Sequence, residues 1–360
     1  MKKNIWISML VVVIAAFFFN ACNKKSNSSD TSVSYDNFKT NMLVNYADTL
    51  LIPGYTDFLA KMTVLENAAN SFLNAPSVAA QDSLRPVFKN AYLSFERVSM
   101  PFFGPASSIS ANRYINSFPT SAPAIETGIQ SGVYDFTVPG TSDTIQGLPA
   151  LDYLLFSANA VTRFSASDAA NRKRYVRDII TRIKQLSQST LTQWNGGYRA
   201  VFISSLKTDV GSSIGLIVNQ FASEMDAMKG PRIGWPFGKQ SNGTVFADKC
   251  EAYYTGFSAA VAVQNLESLK NYYTGGTGSG MDDYLILLKK NQLNTDVLAQ
   301  FDVAINALKA LPDPLSAAFT NNATLVDEAY RQVQKLLTLL KTDVASAIGV
   351  QINYMDNDGD

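Results

Sequence analysis

The side chains of this 360-residue chain restrict its chemistry mainly to oxygen ligands. The sequence contains no histidine and only two cysteines. Without an imidazole, a Ser-His-Asp triad and a Cys-His dyad are both excluded. Carboxylates, amides, hydroxyls and carbonyls remain as ligands, and such oxygen sites suit calcium, magnesium or manganese better than zinc. Any metal site in this chain is therefore expected to be built from oxygen atoms.

Short segments in a fixed order along the chain carry a family pattern. They are Glu-Arg-Val-Ser-Met-Pro-Phe-Phe-Gly-Pro at 96–105, Tyr-Ile-Asn-Ser-Phe-Pro at 114–119, Gly-Leu-Pro-Ala-Leu-Asp-Tyr-Leu-Leu at 147–155 and Lys-Cys-Glu-Ala-Tyr-Tyr-Thr-Gly at 249–256. As an ordered set, over about 38–360, they resemble the imelysin-like family. The resemblance implies an all-helical fold with two bundle-like halves and a site in the cleft between them. It also implies either a metallopeptidase or an envelope protein associated with iron acquisition.

The third segment departs from the family's usual Gly-x-His-x-x-Glu pattern. Gly147 is kept, Pro149 stands in place of the histidine, and Asp152 stands in place of the glutamate. On a helix, His-x-x-Glu places two ligands about one turn apart on one face, but proline offers no ligand atom in its side chain. Pro149 suits the first turn of a helix, and an acidic Asp152 near that helix start interacts favourably with the helix dipole. The segment is therefore interpreted first as a helix start.

The family-like segments supply the candidate ligand-binding residues of a polar cleft, which are Glu96, Asn116, Asp152 and Glu251. A divalent metal ion bound by their oxygen atoms is one expectation. The alternative is that these side chains cap helices and bind backbone groups where the two halves meet. No residue is assigned a catalytic role.

The first 21 residues are predicted to be a lipoprotein signal peptide. Lys2 and Lys3 precede an apolar run that is too short for a comfortable membrane span. The run ends just before Cys22, which is expected to be lipidated and to anchor the protein through acyl chains. Residues 22–34 are polar and are predicted to be a flexible tether. Asn23 disfavours retention in the inner membrane, so we expect attachment to the outer membrane, facing the periplasm or the cell surface.

The charge balance excludes a nucleic-acid-binding footprint. After removal of Lys2 and Lys3, 28 basic and 30 acidic residues remain. With Cys22 lipidated, Cys250 is left without an intrachain partner, and a buried apolar role is predicted for its thiol.

Apolar residues recur at three- and four-residue steps along most of the chain, which predicts an all-α protein. We expect an N-terminal bundle at 35–195, a C-terminal four-helix bundle at 196–350 and an acidic tail at 351–360. One helix is predicted over 249–273, and a break in regular helix is predicted at 230–238. Weak alternation around Pro139 and Gly140 predicts one small hairpin within 132–146.

These observations favour a lipid-anchored, non-catalytic binding protein of the bacterial envelope. Its ligand is expected to be a metal ion, a chelate, a peptide or a protein of an uptake system. A metal-dependent peptidase is the first alternative, and the missing histidine argues against it. An envelope interaction protein without a small ligand is the second alternative.

Overall fold

Helices make up the fold, and no β-strand occurs between residues 28 and 353, the part of the chain that the computed structural model describes. The prediction of an all-α protein is confirmed. The chain divides into two units, residues 1–38 and 39–360. Of the first unit, the structure describes the start of helix α1. The predicted signal peptide at 1–21 and Cys22 lie outside the described residues.

The helices of the first half include several long elements and a series of short ones near the site. They are α1 Ser28–Asn45, a π-helical turn Tyr46–Leu51, α2 Ile52–Asn74, α3 Val78–Glu96, α4 Pro105–Ser108, α5 Ala111–Ile115, α6 Ala122–Ser131, a 3-10 turn Asp143–Ile145, α7 Gly147–Phe156, α8 Ala160–Arg163 and α9 Ala169–Gln193.

The second half has the same character, with wide turns inserted between helices. Its elements are a π-helical turn Trp194–Tyr198, α10 Arg199–Ser204, α11 Ser213–Ala227, a π-helical turn Met228–Gly234, α12 Trp235–Phe237, a 3-10 turn Ala247–Lys249, α13 Ser258–Thr274, α14 Met281–Leu287, α15 Asn291–Lys309, α16 Leu315–Asn321, α17 Ala323–Thr338, a π-helical turn Leu339–Val344 and α18 Ala345–Ile348.

Amphipathic stripes explain how these helices pack. Helix α2 packs on α3 and α9, while α15 packs on both α13 and α17. The predicted stripe of α17 is buried at Val326, Val333 and Leu336, and its outer face carries exposed charged residues. Helix α13 also packs on α3, so residues on these two helices can meet in one site. The predicted bundle boundary between residues 195 and 196 stays a prediction.

The expected hairpin at 132–146 is wrong. Those residues form turns and the short 3-10 turn Asp143–Ile145. Gln146 is fully buried and its Nε2 donates to the backbone oxygens of Phe136 (2.9 Å) and Ser142 (3.1 Å). A side chain therefore satisfies backbone groups that a hairpin ladder would otherwise have paired.

The predicted tether at 22–34 is wrong over its last seven residues. Helix α1 already begins at Ser28. Because the following turns are helical, extension of an existing helix requires no new nucleation, and polar residues can be added to its N-terminus. Residues 22–27 lie outside the described part of the chain.

One helix boundary near the site differs from expectation, and the expected break in regular helix at 230–238 falls on a π-helical turn and a three-residue helix. The helix predicted at 249–273 begins at Ser258, because Ala252 (φ 49°) and Gly256 (φ 75°) adopt left-handed backbone conformations that a helix cannot contain. Residues 230–238, expected to break regular helix, form part of the wide turn Met228–Gly234 and the short α12. A π-helical turn accepts Pro231 because its hydrogen-bond pattern differs from that of an α-helix.

The predicted acidic tail begins without regular structure. The Asn219 amide on α11 donates to the backbone oxygen of Gln351 (3.0 Å) and accepts from the backbone N–H of Asn353 (2.8 Å). Residues 354–360 lie outside the described range. Between residues 28 and 353, no helix has both the length and the apolar character needed to cross a bilayer.

Candidate functional site

Three of the four predicted site residues meet in one buried cluster. Glu96 ends α3, Asn116 follows α5, and Glu251 lies in the turn before α13. The Asn116 Nδ2 atom donates to Glu251 Oε1 at 2.6 Å and lies 3.3 Å from Glu96 Oε1. Each of the two glutamates is 3% exposed or less. One amide therefore bridges two carboxylates that are 155 positions apart in the sequence.

An arginine that the sequence had not indicated lies between these carboxylates. The Arg232 Nη1 atom lies 2.6 Å from Glu251 Oε2, and Nη2 lies 2.9 Å from Glu96 Oε2. Nη2 also lies 3.7 Å from Glu224 Oε1 on α11. The guanidinium carbon is 5.9 Å from the ring centre of Phe118. One cation thus faces three carboxylates.

Further polar side chains add hydrogen bonds, although Arg232 Nε and the side-chain oxygen of Asn265 have no partner among the described residues. The Asn265 Nδ2 atom lies 2.8 Å from Glu96 Oε2 and 2.5 Å from Glu224 Oε1. The Tyr92 hydroxyl lies 2.7 Å from Asn116 Oδ1 and 3.1 Å from Glu251 Oε1. The Arg232 cluster, as named here, consists of Tyr92, Glu96, Asn116, Glu224, Arg232, Glu251 and Asn265.

Aromatic packing fixes the position of Tyr92 within this cluster. Its ring meets Phe88 and Phe257 edge to face, with both centroid distances at 5.7 Å. Such pairs add specific geometry to apolar burial. The Tyr92 hydroxyl is therefore held beside Asn116 and Glu251 by the core.

Burial dominates the protonation of the cluster. It raises the pKa of Glu96 well above its usual range, Glu251 and Glu224 raise it further, and Arg232 lowers it in part. Burial alone would lower the pKa of Arg232, but Glu251, Glu96 and Glu224 together raise it above its usual value. The guanidinium therefore stays charged, while Glu96 holds its proton to a pH well above the range of an ordinary carboxyl.

Asp152, the fourth predicted residue, lies outside the hydrogen bonds of this cluster and fixes a turn. Its Oδ2 atom accepts from the Tyr254 N–H at 2.8 Å, and its Oδ1 atom accepts from the N–H and the hydroxyl of Thr255 at 2.9 and 2.6 Å. Burial raises the pKa of Asp152 to about 6, against the lowering effect of these hydrogen bonds. Asp152 is the sixth residue of α7, so the expected first-turn interaction with the helix dipole is wrong.

The other two residues of the segment also have structural roles. Gly147 has φ 82°, and a Cβ atom there would lie 2.4 Å from the backbone oxygen of Ile115. Only glycine allows this close approach of α7 to α5. Pro149 occupies the first turn of α7, where its missing N–H leaves no helical hydrogen bond unmade.

Two cavities border these groups and share Phe118 in their walls. One, of about 240 Å³, is bordered by Pro149, Asp152, Cys250 and Tyr253. The other, of about 270 Å³, is bordered by Asn116, Glu224 and Arg232. They are called here the Asp152 cavity and the Glu224 cavity.

The expected divalent metal does not fit these residues as they are arranged. Glu96 and Glu251 direct oxygens at the Arg232 guanidinium, and Asn116 and Asn265 donate to the same carboxylates. Within residues 28–353, no group of three or more His, Cys, Asp or Glu side chains has the spacing of a metal site. A guanidinium therefore takes the lone pairs that a metal would need.

Sequence reasoning missed Arg232, Glu224, Asn265 and Tyr92. Arg232 stood in the Gly-Pro-Arg-Ile-Gly segment at 230–234, where a single charged residue among apolar and turn residues is a usable signal of burial. Glu224 and Asn265 lie on amphipathic helices and carry no comparable signal in the sequence.

Comparisons with known proteins relate this fold to one family. The family model described as Imelysin matches residues 51–341. Iron-regulated protein A of Synechococcus elongatus is 23% identical over 284 residues, which is 75% of this chain and 75% of the relative.

Two solved structures share the fold. A protein described as an iron-regulated protein A precursor, from Parabacteroides distasonis, has a TM-score of 0.75 and 19% identity over 87% of this chain and 95% of its own. An imelysin-like protein from Psychrobacter arcticum has a TM-score of 0.71 and 19% identity over 89% of this chain and 98% of its own. At this level of identity the likeness shows the fold.

Proposed function

The chain belongs to the imelysin family, and from that premise we propose that it is a lipid-anchored, non-catalytic binding protein of the bacterial envelope that serves iron acquisition. The link to iron is supported by the relative named iron-regulated protein A. The anchor is supported by Cys22 directly after an apolar leader.

One observation carries the non-catalytic part of the proposal. Asp152 is the only ionisable side chain at the three motif positions, Gly147, Pro149 and Asp152. Its carboxylate accepts hydrogen bonds from Tyr254 and Thr255 and so fixes the backbone there. Gly147 and Pro149 serve the start of α7. A hydrolytic metal centre requires about three protein ligands and an open position for water, and these motif positions offer one occupied carboxylate.

The Asp152 cavity is our proposed binding surface. Its border combines the ring of Tyr253, which is 36% exposed, with the charged side chains of Asp248 and Lys249. Mixed aromatic and polar walls of this kind suit a small polar ligand such as an iron chelate. Tyr253→Ala is expected to weaken ferric citrate binding about tenfold, which follows from the loss of about 1.4 kcal/mol of contact energy.

Growth under iron limitation tests the role in iron acquisition. Deletion of the gene is expected to slow growth when iron is chelated and to leave growth unchanged when iron is plentiful. Complementation with the wild-type protein should restore growth, while Cys22→Ala, which removes the anchor, should restore little. Equal growth of the deletion strain and the parent strain under chelation contradicts the proposal. Val133→Ala serves as a control variant. Val133 is 77% exposed, so its replacement should leave the protein intact and restore growth of the deletion strain fully.

The peptidase alternative is tested separately on purified protein. We expect no hydrolysis of a peptide library with calcium, manganese or zinc added. The non-catalytic proposal would be overturned if the wild-type protein hydrolyses peptides, a chelator abolishes this activity, and the Asp152→Ala variant lacks it. The anchor and the iron role would remain in place.

A further inference from the structure

A third cavity, called here the Arg97 cavity, has no lining residue in common with the Asp152 and Glu224 cavities. Its volume is about 350 Å³. Thr49 borders it from the π-helical turn Tyr46–Leu51, Asp57 from α2 and Arg97 from the position that follows α3, while α13 forms a further wall. Most of the lining side chains are polar, so the cavity suits a polar ligand.

Arg97 and Asp57 bring opposite charges to this cavity without being hydrogen-bonded to each other. Arg97 Nη1 lies 3.6 Å from Asp57 Oδ2, and the two side chains are 54% and 43% exposed. Asp57 Oδ1 lies 3.9 Å from Lys61 Nζ, and Glu267, which also lines the cavity, is paired with Lys309 at 2.6 Å. Exposed and long ion pairs contribute little to stability, so both charges at the cavity remain available to a ligand.

Helix α13 presents a row of polar side chains to the cavity. Gln264, Ser268 and Asn271 follow one another at steps of four and three residues, which places them on one face of the helix. The Ser268 hydroxyl donates to the backbone oxygen of Gln264 at 2.7 Å and lies 3.2 Å from Gln264 Nε2. The Asn271 amide makes no side-chain hydrogen bond within the described part of the chain. This wall therefore offers an amide whose donors and acceptor are unused.

Tyr272 gives a second and independent indication of a ligand. It borders the cavity and is 2% exposed, yet its hydroxyl has no hydrogen-bond partner between residues 28 and 353. The ring is held in place because it stacks on Tyr46, with a centroid distance of 6.3 Å and an interplanar angle of 4°. Buried polar groups normally have a partner. A polar ligand in the cavity would supply the partner that the protein does not.

We infer that the Arg97 cavity binds a free α-amino acid with an uncharged polar side chain. In such a zwitterion the ammonium nitrogen and the nearer carboxylate oxygen lie about 3 Å apart. The charged atoms of Arg97 and Asp57 have a similar spacing, 3.6 Å. The ligand carboxylate accepts from Arg97 and its ammonium donates to Asp57, so that each charge meets its opposite. The ligand side chain then lies toward Asn271 and Tyr272.

The charges also exclude the simpler ligands. An anion would leave the Asp57 carboxylate facing a like charge, and a cation would do the same to the Arg97 guanidinium. An apolar side chain would leave Asn271 and Tyr272 without partners. The inference goes beyond the role in iron acquisition and concerns a different cavity, so its failure would leave that role standing.

Isothermal titration calorimetry with L-glutamine at low salt tests the inference on the purified protein. We expect one L-glutamine per chain with a Kd below about 1 mM. Glutaramic acid lacks the ammonium group, L-glutamine amide lacks the carboxylate, and L-leucine has an apolar side chain. Each should bind at least about tenfold more weakly than L-glutamine. Equal affinity for any of these three compounds overturns the inference, as does no binding of L-glutamine, L-asparagine or L-serine at about 10 mM.

Two variants remove the charges that the ligand requires. Arg97→Met and Asp57→Asn should each weaken L-glutamine binding at least about tenfold. Because both side chains are half exposed, the unfolding midpoints should stay close to that of the wild type. Arg199→Met is the matched control: Arg199 is 38% exposed and bound to Asp48, next to Thr49, but does not line the cavity. Equal losses of affinity in Arg199→Met and Arg97→Met contradict the inference.

Tyr272→Phe tests the buried hydroxyl. Without ligand, this variant should be at least as stable as the wild type, because the hydroxyl that it removes has no partner in the described structure. Its affinity for L-glutamine should fall about fivefold, since the ligand loses one hydrogen bond. An affinity equal to that of the wild type contradicts the inference, because the unpaired hydroxyl would then have no connection with the ligand.

Discussion

Arg232 Nη1 and Glu251 Oε2 lie 2.6 Å apart and join two segments that are not regular α-helix. Arg232 belongs to the wide turn Met228–Gly234, and Glu251 lies in the turn between Lys249 and Ser258. Because both side chains are buried, the pair can be satisfied only by its own neighbours. The same guanidinium reaches Glu96 at the end of α3. One side chain therefore sets the mutual position of three chain segments.

Arg232→Met is expected to lower the free energy of unfolding by about 3 to 5 kcal/mol, because it leaves buried carboxylates without their cation. Chemical denaturation at neutral pH measures the change. Arg331→Met, which removes an exposed arginine paired with Asp327 and Glu328 on the same helix, serves as the control and should leave the unfolding midpoint unchanged. Equal midpoints for the two variants would show that the buried pair contributes nothing.

Gly147→Ala is expected to destabilise the protein by about 2 to 4 kcal/mol, from a positive φ combined with a steric clash. The added Cβ would lie 2.4 Å from the backbone oxygen of Ile115. Gly140→Ala separates the two contributions, since Gly140 has φ 83° and nothing within 4 Å of the added atom. It should cost only about 1 to 2 kcal/mol. If the Gly140 variant is as unstable as the Gly147 variant, the contact between α7 and the backbone of Ile115 adds nothing to the cost of Gly147→Ala.

The sequence predicted the helical class and part of the site for identifiable reasons. Helix stripes such as Val326, Val333 and Leu336 are local patterns, and burial follows them. Glu96, Asn116 and Glu251 could be proposed together because they stand in family-like segments. Nothing local indicated that Asp152 would hold the turn at Tyr254 and Thr255 instead, since that contact spans 102 and 103 positions.

The wide turns and the central arginine could not be predicted by the same reasoning. A π-helical turn such as Met228–Gly234 arises from tertiary packing and has no reliable sequence period. Arg232 and Glu96 are 136 positions apart, and single-sequence reasoning has no measure of such a pairing. The hairpin failed for a related reason, since the side chain of Gln146 satisfies backbone groups at Phe136 and Ser142.

Asp152 should make stability fall as the pH rises through the mildly acidic range. Its pKa is about 6 in the folded protein, against an ordinary value of 3.8. The folded state therefore binds the proton more tightly than the unfolded state, and the free energy of unfolding decreases by about 3 kcal/mol between about pH 4 and pH 6. Denaturation midpoints measured across this range test the slope.

Two variants assign that slope to its source. Asp152→Ala should flatten the part that Asp152 contributes, although it also loses the hydrogen bonds to Tyr254 and Thr255. Asp135→Asn should leave the slope intact, because hydrogen bonds from Thr137 lower the pKa of the exposed Asp135 below its ordinary value, so this group titrates at a lower pH than the range measured. A slope unchanged by Asp152→Ala would show that another group, such as Glu96, dominates the titration.

Cys250 is expected to react slowly with thiol reagents even though it borders the Asp152 cavity. Burial raises the pKa of its thiol to about 11, and the residue is 3% exposed. Because the thiolate is the nucleophile, about one thiol in a thousand is reactive at pH 8. In a Cys22→Ser variant, alkylation by iodoacetamide should accelerate about tenfold per pH unit between pH 8 and pH 10. Free cysteine in the same reaction should level off above its pKa of about 8.5. A protein thiol that levels off at the same pH as free cysteine would mean that the cavity exposes Cys250 to water.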